Sequence, residues 1–270
     1  MSNDKILTII KEKNKNEIIN MLKTDGKIKT LSFFAEVLDK RAYFTLDNEG
    51  TIKRKKLNYI IPIFAFSDDF NYLADSIINF SDLKEREKIS DISRLSNIEI
   101  SKLKEKLMKT LANGNLDFSK KYGKELFLRD REEFYKTVLE FSLLGDMKSL
   151  KPLLILSFKK LFENTEYEEN VFFLLISYLT KYRDNFYFYE NYEKDDNIVE
   201  VKNLRESIIL NKNLLESMEG LEVLSTLKAL EMYDFKNFDK FLSKVNDEIR
   251  MLKSLTVLDE TAKKLSAAFL

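Results

Sequence analysis

The chain reads as an all-α protein of stacked antiparallel helical hairpins, an irregular α-solenoid, with room for one small β-hairpin near residues 43–53. Three observations carry that expectation. Only six Gly and two Pro occur in 270 residues, whereas a sandwich or barrel spends both on its many turns. Apolar residues recur at spacings of three and four through most of the chain, the period of an amphipathic helix. Hydrophobic residues make up 44%, enough for a continuous core and too many for a disordered tail.

Taken in order, residues 4–24 carry two short helices. Ile6, Leu7, Ile9 and Ile10 line the first, and Ile18, Ile19 and Leu22 the second. Lys13-Asn14-Lys15-Asn16 separates them and Asp25-Gly26 closes the pair. A third helix holds Leu31, Phe34, Val37 and Leu38. Residues 42–57 change character: Tyr43-Phe44-Thr45-Leu46, a turn Asp47-Asn48-Glu49-Gly50, then Thr51-Ile52-Lys53 fits a β-hairpin or a long loop between helices. Pro62 inside the run Ile60–Phe66 kinks or starts a helix. Ser67-Asp68 offers an N-cap to a helix carrying Phe70, Leu73, Ile77 and Ile78. The polar stretch Glu85–Asp91 is a natural joint. It divides an N-terminal helical subdomain, 1–96, from a helical-repeat domain, 97–270, if the two are not one continuous domain.

Beyond the joint, Ile100, Leu103, Leu107 and Leu111 share one helical face. Asn113-Gly114-Asn115-Leu116-Asp117-Phe118 is a turn followed by a new amphipathic start. Leu144-Gly145-Asp146-Met147 repeats it about 31 residues later, a spacing in the range of helical-hairpin repeats, and Tyr233-Asp234-Phe235-Lys236-Asn237-Phe238 repeats it without the Gly. In each, an αL-tolerant residue ends one helix, Asp or Asn caps the next, and an apolar residue packs back. Leu153–Phe162 and Val171–Leu179 are apolar nearly all round, which places them at the centre. Four more helices are expected over 198–218, 220–232, 235–252 and 254–269, the last with Leu255, Leu258, Leu265 and Phe269 facing inward.

The segment Asn113–Tyr122, with Glu133-Phe134-Tyr135 through Leu144-Gly145-Asp146, resembles a tetratricopeptide-like α-solenoid over residues 98–165. The resemblance implies stacked helical hairpins around a groove that takes a protein or peptide. The period is irregular, and the Trp usual in that family is absent.

Chemistry is bounded by what is missing. There is no His, Cys or Trp, so zinc fingers, Cys nucleophiles and Ser-His-Asp relays are excluded. Glycine-rich phosphate loops are absent too. Lys plus Arg number 45 and Asp plus Glu number 45, and that balance argues against a chain living by nucleic-acid binding. The N-terminal apolar stretch is too short for a signal peptide, and no apolar run approaches the roughly 18 residues of a membrane span. A cytoplasmic protein without membrane contact is expected.

The best candidate site is aromatic. Tyr182-Arg183-Asp184-Asn185-Phe186-Tyr187-Phe188-Tyr189-Glu190-Asn191-Tyr192 packs six rings into eleven positions, more than one helix can turn toward one core. Tyr and Arg anchor interfaces because they bury large area at little entropic cost. Tyr182, Arg183, Tyr187, Tyr189 and Tyr192 are therefore the candidate partner contacts, against a bland reading in which the rings pack between layers. A second set, Glu163, Glu166, Glu193 and Asp196, is similar to the carboxylates that hold magnesium in all-α nucleotide pyrophosphohydrolases; chance explains such spacing easily in an acid-rich chain. Lys53-Arg54-Lys55-Lys56 with Lys102, Lys104, Lys106, Lys109, Lys120, Lys121 and Lys124 is a candidate phosphate-tracking surface, or simply a solvated face. The C-terminal helix, with Lys253, Lys263 and Lys264, reads as a solenoid cap. The leading function is a non-enzymatic scaffold or adaptor for a protein or peptide, with no cofactor. A magnesium-dependent phosphohydrolase and a nucleic-acid-binding helical repeat are the alternatives.

Overall fold

The structure is a computed structural model that describes residues 3–55, 58–84, 95–145, 149–184, 186, 190 and 200–269. It is all-α apart from one two-stranded hairpin. The chain forms two compact units, Met1–Phe134 with Ser157–Arg183, and Tyr135–Leu156 with Asp184–Leu270.

The first unit opens with α1 (Asn3–Lys11) and α2 (Lys15–Thr24). Asn14 caps α2, its side chain accepting from the Glu17 amide. The third expected helix is two, α3 (Lys27–Phe33) and α4 (Ala35–Leu38), divided at Phe34. The hairpin is present: β1 (Phe44–Leu46) pairs antiparallel with β2 (Ile52–Arg54), Phe44 opposite Arg54 and Leu46 opposite Ile52. Its corner uses the polar residues as turn chemistry dictates. Gly50 sits at φ +80°, and the Asp47 carboxylate accepts from the amides of Glu49 and Thr51, bonds that hold its pKa below the usual value.

Pro62 starts a helix rather than kinking one. It is the third residue of α5 (Ile60–Phe66), where its missing N–H is one that no helix satisfies internally. The cap of α6 (Phe70–Phe80) is Asp69, one residue later than Ser67-Asp68 suggested; its carboxylate accepts from the amides of Asn71 and Tyr72. Next come α7 (Ile100–Ala112) and α8 (Leu116–Arg129). They pack along one another about the Asn113–Asn115 corner, with Asn115 capping α8. Phe118 departs from expectation. It stays half exposed, stacked on Tyr122 at 5.8 Å, instead of packing back on α7.

The organising helix of this unit is α11 (Glu169–Lys181). Every residue from Val171 to Thr180 is buried, as a segment apolar nearly all round requires. It packs on α3, α4, α7 and α8. Gly123 of α8 is what admits it: a Cβ there would stand 3.1 Å from Ile176 and 3.2 Å from Phe172. An aromatic core joins Phe127, Phe134, Phe158, Phe162 and Phe172 with ring centroids 4.4–6.2 Å apart.

The remaining long helices are α9 (Arg131–Leu144), α10 (Lys151–Leu161), α12 (Val201–Leu210), α14 (Met218–Met232) and α15 (Phe238–Arg250), with short α13 (Lys212–Leu215) and α16 (Glu260–Ser266). In the second unit α14 is the buried element, packed by α12, α13 and α15. The single helix expected over 198–218 is broken at Asn211, whose side chain caps α13 through the Leu214 amide. The helix expected over 254–269 begins only at Glu260. Ahead of it, Val257 bridges antiparallel to Ser217. Leu258, Leu265 and Phe269 do face inward, but Leu255 does not.

Candidate functional site

At the end of α11 the first unit gathers three tyrosines and three polar side chains. Tyr178 and Tyr182, one helical turn apart, stack at 5.3 Å. Tyr43, delivered by the segment entering the hairpin, meets Tyr178 edge-on at 4.7 Å and Tyr182 at 6.5 Å. All three are buried. Beneath them lies the Asp39 carboxylate. Ser177 donates its hydroxyl to both carboxylate oxygens, at 2.8 and 2.7 Å. Lys181 reaches the same group at 3.1 Å and donates to the Lys40 carbonyl at 2.8 Å.

The spacing explains the assembly. Ser177 and Lys181 are four apart on one helical face, and Asp39 follows the last residue of α4, where the chain turns extended. Burial pushes the Tyr43 hydroxyl well above its ordinary pKa, the Asp39 charge adds to this, and a hydrogen bond with the Lys40 backbone works the other way. Tyr43 is thus neutral at physiological pH. A serine, a carboxylate and a lysine in contact make a reactive set on paper. Here Ser177 has no exposed surface, so no substrate atom reaches its oxygen. The cluster ties α4 to α11, each charge answered by an opposite charge or a hydrogen bond.

This places two of the aromatic-segment candidates. Tyr182 is buried, so its ring packs into the unit instead of facing a partner. Arg183 is exposed; its guanidinium covers Gly114 and donates to the Ala112 carbonyl at 3.3 Å. Tyr187, Tyr189 and Tyr192 lie outside the described residues.

The second unit holds the next residue of the segment. The Asp184 side chain is fully buried and paired with Lys151, itself fully buried. The Lys151 ammonium also lies 4.6 Å from the centre of the Phe141 ring, a favourable site for a cation. Asp184 rests against Gly145, where a Cβ would come within 2.6 Å of its carboxyl carbon. Lys244 donates to the carbonyls of Leu143 and Gly145, finishing the C-terminus of α9 as a cation should. Phe186 packs edge-on to Phe141 at 6.1 Å. Sequence reasoning missed Asp39, Ser177, Lys181 and Lys151. A signal existed for two of them: Ser177 and Lys181 interrupt an otherwise apolar helix at a spacing of four.

The carboxylate set is not assembled among the described residues. Glu163 and Glu166 are exposed on the turn after α10, and Glu193 and Asp196 lie outside the described residues. No group of three carboxylates placed to hold a metal occurs among the described residues. Part of the basic stripe is answered by acid. Lys104 pairs with Glu133, Lys124 with Glu169 and Lys53 with Asp47, while Lys120 is buried over Phe173. Lys56 lies outside the described residues. No described helix is long and apolar enough to cross a membrane. The chain matches no family model, no curated protein and no solved structure.

Proposed function

We propose that this chain is a non-enzymatic scaffold or adaptor of the cytoplasm, a helical-repeat module of tetratricopeptide-like design that holds a protein or peptide partner. The tyrosine-rich segment supplies its anchoring rings. Tyr182 and Arg183 fix the root of the segment, and Tyr187, Tyr189 and Tyr192 make the contacts. The observation that carries the reading is the fastening of that root. Tyr182 is stacked on Tyr178, and Arg183 is seated over Gly114. Aromatic anchors contribute most where the surface that presents them is held in place before a partner arrives.

The test is a pull-down from lysate with quantitative mass spectrometry, comparing the parent with a Tyr187→Ala, Tyr189→Ala, Tyr192→Ala triple variant. The parent is expected to retain a partner that the variant loses at least tenfold, with circular dichroism unchanged. Equal capture by both chains sinks the assignment.

A further inference from the structure

The second unit carries an open backbone edge beside a cavity with an apolar wall. After α15 the chain runs from Met251 to Asp259 without helix, and tertiary contacts hold it extended. The Met218 amide donates to the Thr256 carbonyl at 2.8 Å, and the Leu258 amide to the Glu216 carbonyl at 3.1 Å. Glu219, buried in the first turn of α14, accepts from both the Thr256 amide and hydroxyl at 2.8 Å. In this bridging pattern Val257 and Ser217 face each other without exchanging bonds. The N–H and C=O of Val257 therefore point away from α14, and neither has a partner among the described residues. Val257 is 77% exposed and Leu255 38%. A cavity of about 470 Å³ lies alongside; Leu252, Leu255 and Val257 form its apolar wall, and Asn213, Glu216, Ser217, Lys253 and Ser254 complete the lining.

The geometry points to a docking site for an extended peptide, which would add a strand along Val257 and place an apolar side chain in this cavity. Backbone donors and acceptors on an open edge recognise an extended chain, and the flanking pocket selects alternate side chains. Charge narrows the occupant further. Lys253 is exposed at the head of the edge with no acidic partner among the described residues, whereas Glu216 across the cavity has Lys212 at 3.9 Å. The fitting partner is an extended segment of another protein, apolar at alternate positions, with an Asp or Glu to meet Lys253. This proposal does not rest on the tyrosine segment.

Displayed random octapeptides are selected on the intact chain, with counter-selection on a Val257→Pro chain. That substitution removes an amide donor that has no partner among the described residues, and an unchanged circular dichroism spectrum is the check that the fold is kept. Enriched sequences should alternate apolar residues and carry an acid. Synthesised with a fluorophore, they should bind the Val257→Pro chain about tenfold more weakly than the parent. Lys253→Glu should weaken them as well, and a Lys in place of the peptide acid should restore binding to that variant. Hydrogen exchange at the Val257 amide of the parent should slow when peptide is added, a reading that needs no variant. The Tyr187, Tyr189, Tyr192 triple variant should bind these peptides like the parent, which separates this site from the one above. Three results overturn the proposal: no enrichment beyond the Val257→Pro chain, unchanged exchange at Val257, or a dimer in sedimentation that Val257→Pro dissolves, since the occupant is then a second copy.

Discussion

Two glycine corners, alike in sequence, are finished in opposite ways. Gly114, in the first unit, sits at φ +65° and is covered by the guanidinium of Arg183, a flexible group that faces water. Gly145, in the second unit, is covered by the carboxylate of Asp184, which is sealed from water and locked to Lys151. The same short corner motif is therefore tolerant in one place and rigidly specified in the other. What separates them is whether the covering group can move into solvent when its seat is filled.

The strongest way to break the contrast is to remove the cation at Gly145. Lys151→Ala leaves the Asp184 carboxylate buried without its ammonium and is expected to cost about 3–5 kcal/mol, seen as a large fall in the denaturant midpoint. The double variant Lys151→Met, Asp184→Asn should recover most of it. If Lys151→Ala unfolds at the parent midpoint, the buried pair is not what holds this corner.

Next come the glycines themselves. Gly145→Ala drives a methyl to 2.6 Å from a carboxyl carbon that has nowhere to go, an overpacking of about 1–3 kcal/mol. Gly114→Ala meets only the end of a side chain that can swing away, so the left-handed backbone remains as its cost, about 1 kcal/mol. Thermal unfolding should rank Gly145→Ala as the more damaging. The reverse order would show that backbone conformation, not the covering group, governs these corners.

The smallest effect concerns another covered carboxylate, Glu125 in the first unit. It has no exposed side-chain surface and accepts from the Ser96 amide and hydroxyl at 2.6 Å and from Arg129 at 3.0 Å. Burial alone would raise its pKa, but these bonds together bring it below its ordinary value of 4.5. A depressed folded pKa means stability that is full above the unfolded value and lost as pH falls through the folded one. Melting temperature should therefore drop below about pH 4.5 more steeply in the parent than in Glu125→Gln. Parallel curves would assign the acid sensitivity to other groups.

Much of this architecture was legible in the residues. The stripe Leu103, Leu107 and Leu111 is fully buried. The largely apolar run from Val171 does form the centre of its unit, and the Asp47–Gly50 corner does turn a hairpin. Helical period, cap chemistry and turn chemistry are local properties, and short-range energetics decide them. The stretch from Leu252 to Asp259 was misread for an equally physical reason. Leu255 and Leu258 stand at a helical spacing, but Thr256 finds its partners in Met218 and Glu219, some 37 residues away, and pairing across that distance outweighs local preference. The aromatic segment left both a contact surface and packing between layers open; Tyr182 takes the second, buried against Tyr43, 139 residues earlier in the chain, a pairing that no pattern within the segment reveals.

By itself the sequence determined the all-helical class, the positions of most corners, and the absence of histidine and cysteine chemistry. These follow from composition and from interactions a few residues long. Only the tertiary structure decided that Asp39 would meet Ser177 and Lys181, that Asp184 would be buried on Lys151, and that Val257 would stand at an open edge. Those outcomes depend on which distant surfaces exclude water together, and a buried charge or an unmet amide acquires its meaning only once its surroundings are in place.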